Sequence, residues 1–177
     1  MTADYKELLL GCGNQTKKVL CHKDKPTFEN VTRLDIDPDC KPDIIHDLNN
    51  FLLPFDSDMY DEIHAYEIME HLGSQGDWQF FFDQFDEFYR VLKPGGLMFM
   101  TFPKWTSVWA FGDPGHTRVM VPEMFQFLDR EWYEEAVGKT AATDYRHAFT
   151  SDWKILNVLD VNQHCYGIIL ETRQTSD

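Results

Sequence analysis

Leu8-Leu9-Leu10-Gly11-Cys12-Gly13-Asn14-Gln15 lies close to the start of this 177-residue chain. With Glu7 in front of them, the three leucines read as a short buried strand. The two glycines that follow leave the backbone bare where the strand ends, for a tight turn or for close approach of a ligand. Three kinds of ligand are compatible with a strand that ends in this way. A phosphate loop requires Gly-Lys-Ser/Thr further on, and that is absent. A dinucleotide loop prefers a third glycine at position 16, which is Thr16, and a firm helix whose N-terminus faces a pyrophosphate. The third ligand is a nucleoside without phosphates. A plain tight turn stands beside all three.

Working outward, residues 14–30 are polar and carry Lys17, Lys18, Lys23, Lys25 and Pro26, so a loop or about one turn of helix is expected. Strands are expected over Val31–Ile36, Asp43–His46 and Asp61–Ala65, with a helical stretch from Glu67 to Leu72. Trp78, Phe81, Phe82, Phe85, Phe88, Tyr89 and Leu92 share one face of a helix that Asp77 caps and Pro94-Gly95-Gly96 ends. That stripe reads as core packing. Leu97–Phe102 is a fifth strand. Pro122 opens a helix to Leu128, and another runs from Arg130 to Val137 with Gly138 as its stop. Ile155–Val161 and Tyr166–Glu171 form a closing hairpin. The expected fold is α/β: a Rossmann-like three-layer sandwich on a seven-stranded, mostly parallel sheet with an antiparallel C-terminal hairpin. Ligands of such sheets bind at the carboxyl ends of the strands where strand order reverses, and LLLGCGNQ is the natural place.

Two acids stand beside the glycines in this scheme. Asp35, in LDIDP, ends the second strand, where a carboxylate can accept from both hydroxyls of a ribose. Asp47, in HDL, follows the third strand, where it can accept from the exocyclic amine of adenine. Turn-capping for Asp35 and solvation for Asp47 are the structural alternatives.

With these residues in place, the chain resembles class I S-adenosylmethionine-dependent methyltransferases. LLLGCGNQ looks like that family's first motif and LDIDP like its ribose-acid motif. HDLNNFLLPFDSDMYDEIHAYEIMEHL resembles the adenine-contacting turn, the fourth strand and the helix after it, and EFYRVLKPGGLMFMTFP resembles the turn before the fifth strand. The motifs come in order over roughly residues 7–103. The resemblance implies S-adenosylmethionine as cofactor. Gly11, Cys12, Gly13 and Asn14 would lie along its methionine part, Asp35 and Ile36 at its ribose, Asp47 and Leu48 at its adenine, and Tyr66 near the transferring methyl. It also implies helices ahead of the first strand, whereas that strand starts near residue 7. The lid over a substrate is therefore expected from 103–150, within a single domain spanning 1–177.

Glu67, just past the fourth strand, is a candidate for orienting or deprotonating a substrate, against a plain role in a first helical turn. Within WAFGDPGHTR, His116 is a candidate general base, and Trp109, Asp113 and Arg118 are candidate substrate contacts, Arg118 for a carboxylate or phosphate. Glu70-His71 matches neither HExxH nor HxxEH, so His71 reads as packing and no metal is expected. Cys12, Cys21, Cys40 and Cys165 form no CxxC pair and read as reduced thiols of a cytoplasmic protein. The net charge of −14 repels phosphate backbones. No apolar run reaches the roughly 18 residues of a membrane span. The expected activity is methyl transfer to a small-molecule acceptor, or else to a protein side chain, with nucleic acid and membrane disfavoured as partners. A catalytically silent cofactor-binding subunit, or another nucleoside enzyme such as an aminopropyl transferase or dehydrogenase, are the alternatives.

Overall fold

The computed structural model describes residues 5–21 and 25–173. Its strands are β1 (Glu7–Leu10), β2 (Val31–Asp35), β3 (Ile44–Ile45), β4 (Tyr60–Tyr66), β5 (Leu92–Pro103), β6 (Trp153–Asp160) and β7 (Cys165–Thr172). They form one seven-stranded sheet in the order β3-β2-β1-β4-β5-β7-β6. All neighbours are parallel except β7, which runs against both β5 and β6. Strand order reverses between β1 and β4, so a crevice opens at their carboxyl ends. The helices are α1 (Trp78–Val91), α2 (Trp109–Gly112) and α3 (Arg130–Ala136).

The two faces of the sheet differ in kind. Leu8, Leu10, Ile63, Ala65, Met98, Met100 and Phe102 point to one side and are fully buried under Phe81, Phe82, Phe85 and Phe88 of α1. The Asp77 side chain caps α1 by accepting from the Phe80 N–H at 3.1 Å. Phe125, Leu128, Tyr133 and Phe149 enter this same core, so much of the segment expected to form a lid is a packing layer.

The opposite face carries Glu7, Glu62, His64 and Phe99, and Lys18, Leu20 and Phe28 from the segment after β1 cover it. No helix forms there among the described residues; Lys17 and Thr27 make a single antiparallel bridge. The loop is pinned by Lys18, whose ammonium is buried and bonds both Glu7 and, at 2.7 Å, Glu62. Leu20 packs on Phe99 and Ile169, and Phe28 meets His64 edge-on at 5.1 Å. Burial alone would raise the Glu62 carboxyl, but hydrogen bonds with His64, Lys18 and Tyr5 outweigh it and hold the group at about 2.

Two expected boundaries move. Helix α1 ends at Val91, before Pro94-Gly95-Gly96, because Leu92 already pairs with Tyr60 and the irregularity in β5 absorbs the glycines. The helix expected from Glu67 shrinks to one 3₁₀ turn over Met69–His71. Glu67 itself is left-handed (φ 52°), with its N–H on the Thr101 carbonyl at 2.9 Å, a geometry that cannot begin a right-handed helix. Among the described residues no helix is long and apolar enough to cross a membrane.

Candidate functional site: a cleft at the ends of β1 and β4

The two glycines of the opening stretch have different reasons to be glycine. Both have positive φ, 58° at Gly11 and 42° at Gly13. A Cβ on Gly11 would sit 2.6 Å from the Ile68 side chain, so the tight turn also needs the space. A Cβ on Gly13 would meet nothing within 4 Å, so bare backbone there faces open space. The turn is locked to the end of β2. The Cys12 N–H donates to the Leu34 carbonyl at 3.0 Å, and the Gly13 N–H donates to Asp35 Oδ2 at 2.7 Å. Asp35 Oδ1 accepts from the Asp37 N–H at 2.9 Å. The Asp35 carboxylate is thereby fixed at the strand end by two backbone donors, each oxygen keeping a further lone pair.

Gly11, Asp35, Ile36, Asp47, Leu48 and Glu67 line one cleft of about 340 Å³, within the usual range for small-molecule sites. Ile36 is 62% exposed, an apolar side chain left open beside buried Leu48. Asp47 Oδ1 accepts from the Asn49 N–H at 2.9 Å, which shapes the turn after β3. Gly13 and Cys12 adjoin the cleft through the shared turn, and the Asn14 side chain is exposed. Burial raises the Cys12 thiol, which keeps it protonated. Asp35, Asp47 and Glu67 make the walls acidic.

Two of the expected contacts lie elsewhere. The Tyr66 hydroxyl is on the opposite face, 2.7 Å from His64 Nδ1 and 3.1 Å from the Leu20 carbonyl, so it supports the covering loop and not the cleft. Arg118 is buried, donating from Nε to the Met69 carbonyl (2.9 Å) and from Nη2 to Gln84 Oε1 (2.8 Å). Burial lowers its pKa to about 10, and it binds the turn after β4 to α1; it borders a second cavity, of about 220 Å³, with Trp78, Phe81 and Tyr145. An anion-binding guanidinium at the cleft is therefore absent from this position.

Of the remaining loop residues, Asp113 and His116 come to the cleft's rim. His71 Nδ1 lies 3.1 Å from the Gly115 carbonyl, and the His116 ring meets the His71 ring edge-on at 4.6 Å. Asp113 Oδ1 accepts from the Gly115 N–H at 2.7 Å, while Trp109 in α2 is exposed. Residues 113–116 thus dock on the turn that follows β4. Ile68, Asn49 and His71 also line the cleft, and none of them was expected there. Their signal was weak in sequence, since Asn49 follows Asp47 in the turn after β3, and Ile68 and His71 reach the cleft only through the turn that Glu67 starts. Glu70 is 2% exposed behind them, and burial pushes its carboxyl up to about 8. The Cys165 thiol lies 3.5 Å from Glu67 Oε2; burial, then the nearby charge, raises it to about 11.

No family model matches the chain, and no curated protein matches it. Solved structures do. An S-adenosylmethionine-dependent methyltransferase from Archaeoglobus fulgidus is similar at TM-score 0.59 and 17% identity, over 96% of this chain and 86% of that one. The N-methyltransferase NodS from Bradyrhizobium japonicum, solved with S-adenosylhomocysteine, is similar at TM-score 0.51 and 14% identity, over 96% and 79%. The [4+2]-cyclase SpnF is similar at TM-score 0.55 and 15% identity, over 97% and 76%. The chain has the Rossmann-like fold of class I S-adenosylmethionine-dependent methyltransferases.

Proposed function

We propose that this protein binds S-adenosylmethionine in the cleft at the ends of β1 and β4 and transfers its methyl group to a small-molecule acceptor. The observation that carries the reading is the convergence, in one cleft at the point where strand order reverses, of a Gly-x-Gly turn with Asp35 and Asp47. The residues fit the cofactor. Open space at Gly13 admits a chain alongside the backbone, fixed Asp35 suits a ribose diol, and Ile36 and Leu48 in the same cleft offer apolar surface to a purine, with Asp47 beside them. When bound, the cofactor supplies a methyl group made electrophilic by a positively charged sulfur.

The protein's own part is to attract, position and dry the reactants. The acidic walls favour a cationic ligand over a phosphorylated one. Glu67, exposed at the end of β4, is placed to orient an acceptor or take its proton. The net charge of −14 favours a small molecule over a nucleic acid as acceptor. Because SpnF shares the fold and is named a cyclase, the fold leaves the reaction open. The test is therefore in two parts. Calorimetry with S-adenosylhomocysteine should find one site, not displaced by NAD. Labelled S-adenosylmethionine incubated with fractionated small-molecule extract should give labelled product. Displacement by NAD defeats the cofactor assignment, and tight binding without any transfer favours the silent subunit.

A further inference from the structure

Glu70 is a carboxylate buried without a partner: its side chain is 2% exposed, and neither oxygen has a hydrogen bond. Leaving a buried polar group without a hydrogen bond is costly, and the nearby Arg118 guanidinium spends its hydrogen bonds on the Met69 carbonyl and Gln84. Glu70, His71 and His116 each offer one ligand atom within 4.8 Å of the others. The Gly115 carbonyl can only accept, so His71 Nδ1 carries the proton there and Nε2 keeps a free lone pair. That carbonyl is the kind of outer partner that orients a metal-binding imidazole. His116 Nε2 is 4.0 Å from Glu70 Oε1, and its Nδ1 is buried with no partner.

An ion pair between Glu70 and a protonated His116 is the competing account. At 4.0 Å the contact is too long for a hydrogen bond, and it leaves both Glu70 oxygens and His116 Nδ1 unpaired. Asp113 is no better placed, with Oδ2 at 3.9 Å from His116 Nε2. The second carboxylate–imidazole cluster among the described residues, Glu7, Glu62 and His64, is different, because its carboxylates already accept hydrogen bonds from Lys18, Tyr5 and the Glu29 N–H.

We propose that Glu70, His71 and His116 form a binding site for a divalent transition-metal cation at the rim of the cleft. Two imidazoles with one carboxylate suit Zn²⁺, Mn²⁺ or Co²⁺ better than Mg²⁺ or Ca²⁺, which prefer all-oxygen shells. Metal–ligand bonds of about 2.0–2.2 Å place tetrahedral neighbours about 3.4 Å apart, so shifts on the order of an ångström close the set. Three protein ligands leave a further position open. Because His71 also lines the cleft, that position borders it and takes a water or an oxygen of a bound molecule.

The experiment uses the full chain, stripped with a chelator and titrated with Mn²⁺, the free ion being followed by electron paramagnetic resonance. Mn²⁺ is chosen because it has little affinity for the exposed Cys21 thiol. One site per chain is expected, with a rise in melting temperature on binding. Glu70→Gln and His116→Ala should each weaken binding by about a hundredfold or more, beyond the ten- to hundredfold typical of outer-shell partners. Glu70→Gln keeps the shape of the side chain and removes the anionic ligand, so it should show no rise in melting temperature with Mn²⁺. Absence of a stoichiometric site in the wild type, or binding unchanged in the His71→Ala/His116→Ala double variant, overturns the proposal. So does a wild type in which Mn²⁺ leaves the melting temperature unmoved while His116 titrates by NMR as an ordinary ion-paired imidazolium. None of these readouts depends on methyl transfer.

Discussion

Single residues in this protein carry distinct physical duties even within one motif. Gly11→Ala must place a methyl 2.6 Å from Ile68 and hold a positive φ, so a loss of about 2 kcal/mol or more is expected from overpacking and backbone strain together. Gly13→Ala meets no neighbour, and only the roughly 1 kcal/mol of left-handed strain applies. Urea unfolding of the two variants should therefore rank Gly11→Ala clearly the worse, while both weaken S-adenosylhomocysteine. Asp35 is a different case. Its carboxylate holds the turn through the Gly13 and Asp37 N–H groups and is assigned to the ribose as well. A hydrogen bond to a charged group contributes roughly 1.5–3 kcal/mol, so Asp35→Ala should lower S-adenosylhomocysteine affinity by about tenfold to a hundredfold in calorimetry. Equal affinity in a folded variant would remove the ribose assignment.

At the scale of elements, the unusual piece is the covering loop after β1. Its order comes from a few side chains that reach the sheet, chiefly Lys18 and Leu20, because among the described residues it has no helix to lean on. Lys18→Met leaves Glu7 and Glu62 buried with no cation between them. A loss of about 3–5 kcal/mol is expected, the usual cost of breaking a buried pair from one side, and it should show as a lower urea midpoint. The same network sets a pH response. The Glu62 carboxyl is held at about 2, below its ordinary 4.5. Its contribution is therefore complete above pH 4.5 and is lost as pH falls from there towards 2. Glu62→Gln should flatten the stability profile across that window, and an unchanged acid limb in the variant would contradict the assignment.

Over the whole molecule, thirty acids against sixteen bases load a small surface with negative charge. Self-repulsion of this kind is screened by salt, so the melting temperature should rise between low salt and physiological ionic strength. A fall over that range would mean that specific ion pairs outweigh the net charge. The mostly parallel sheet, its antiparallel hairpin end and the position of α1 were all legible in the chain. Alternation, the Phe81–Phe88 stripe and the Asp77 cap are local signals, readable over a few residues. The grouping of Gly11, Asp35 and Asp47 was legible too, since a parallel sheet brings its strand ends to one side. Arg118 and Tyr66 were misplaced for a common reason: each follows a strand or loop that points to the cleft, but burial turned the side chain to another partner.

What could be read in advance rests on periodicity and on residues whose type restricts the backbone, such as glycine after a strand or proline at a first helical turn. These act through neighbours in the chain and need no knowledge of distant segments. The cover on the charged face, the buried seat of Arg118 and the meeting of Glu70 with His116 depend on segments far apart in sequence. Their side chains come together only when the left-handed turn at Glu67 and the packing of residues 113–118 set the geometry. Burial and pairing are properties of that three-dimensional surrounding, which is why a lone Glu-His pair in the chain reads as packing and the folded protein makes it two of the three ligands of a candidate cation site.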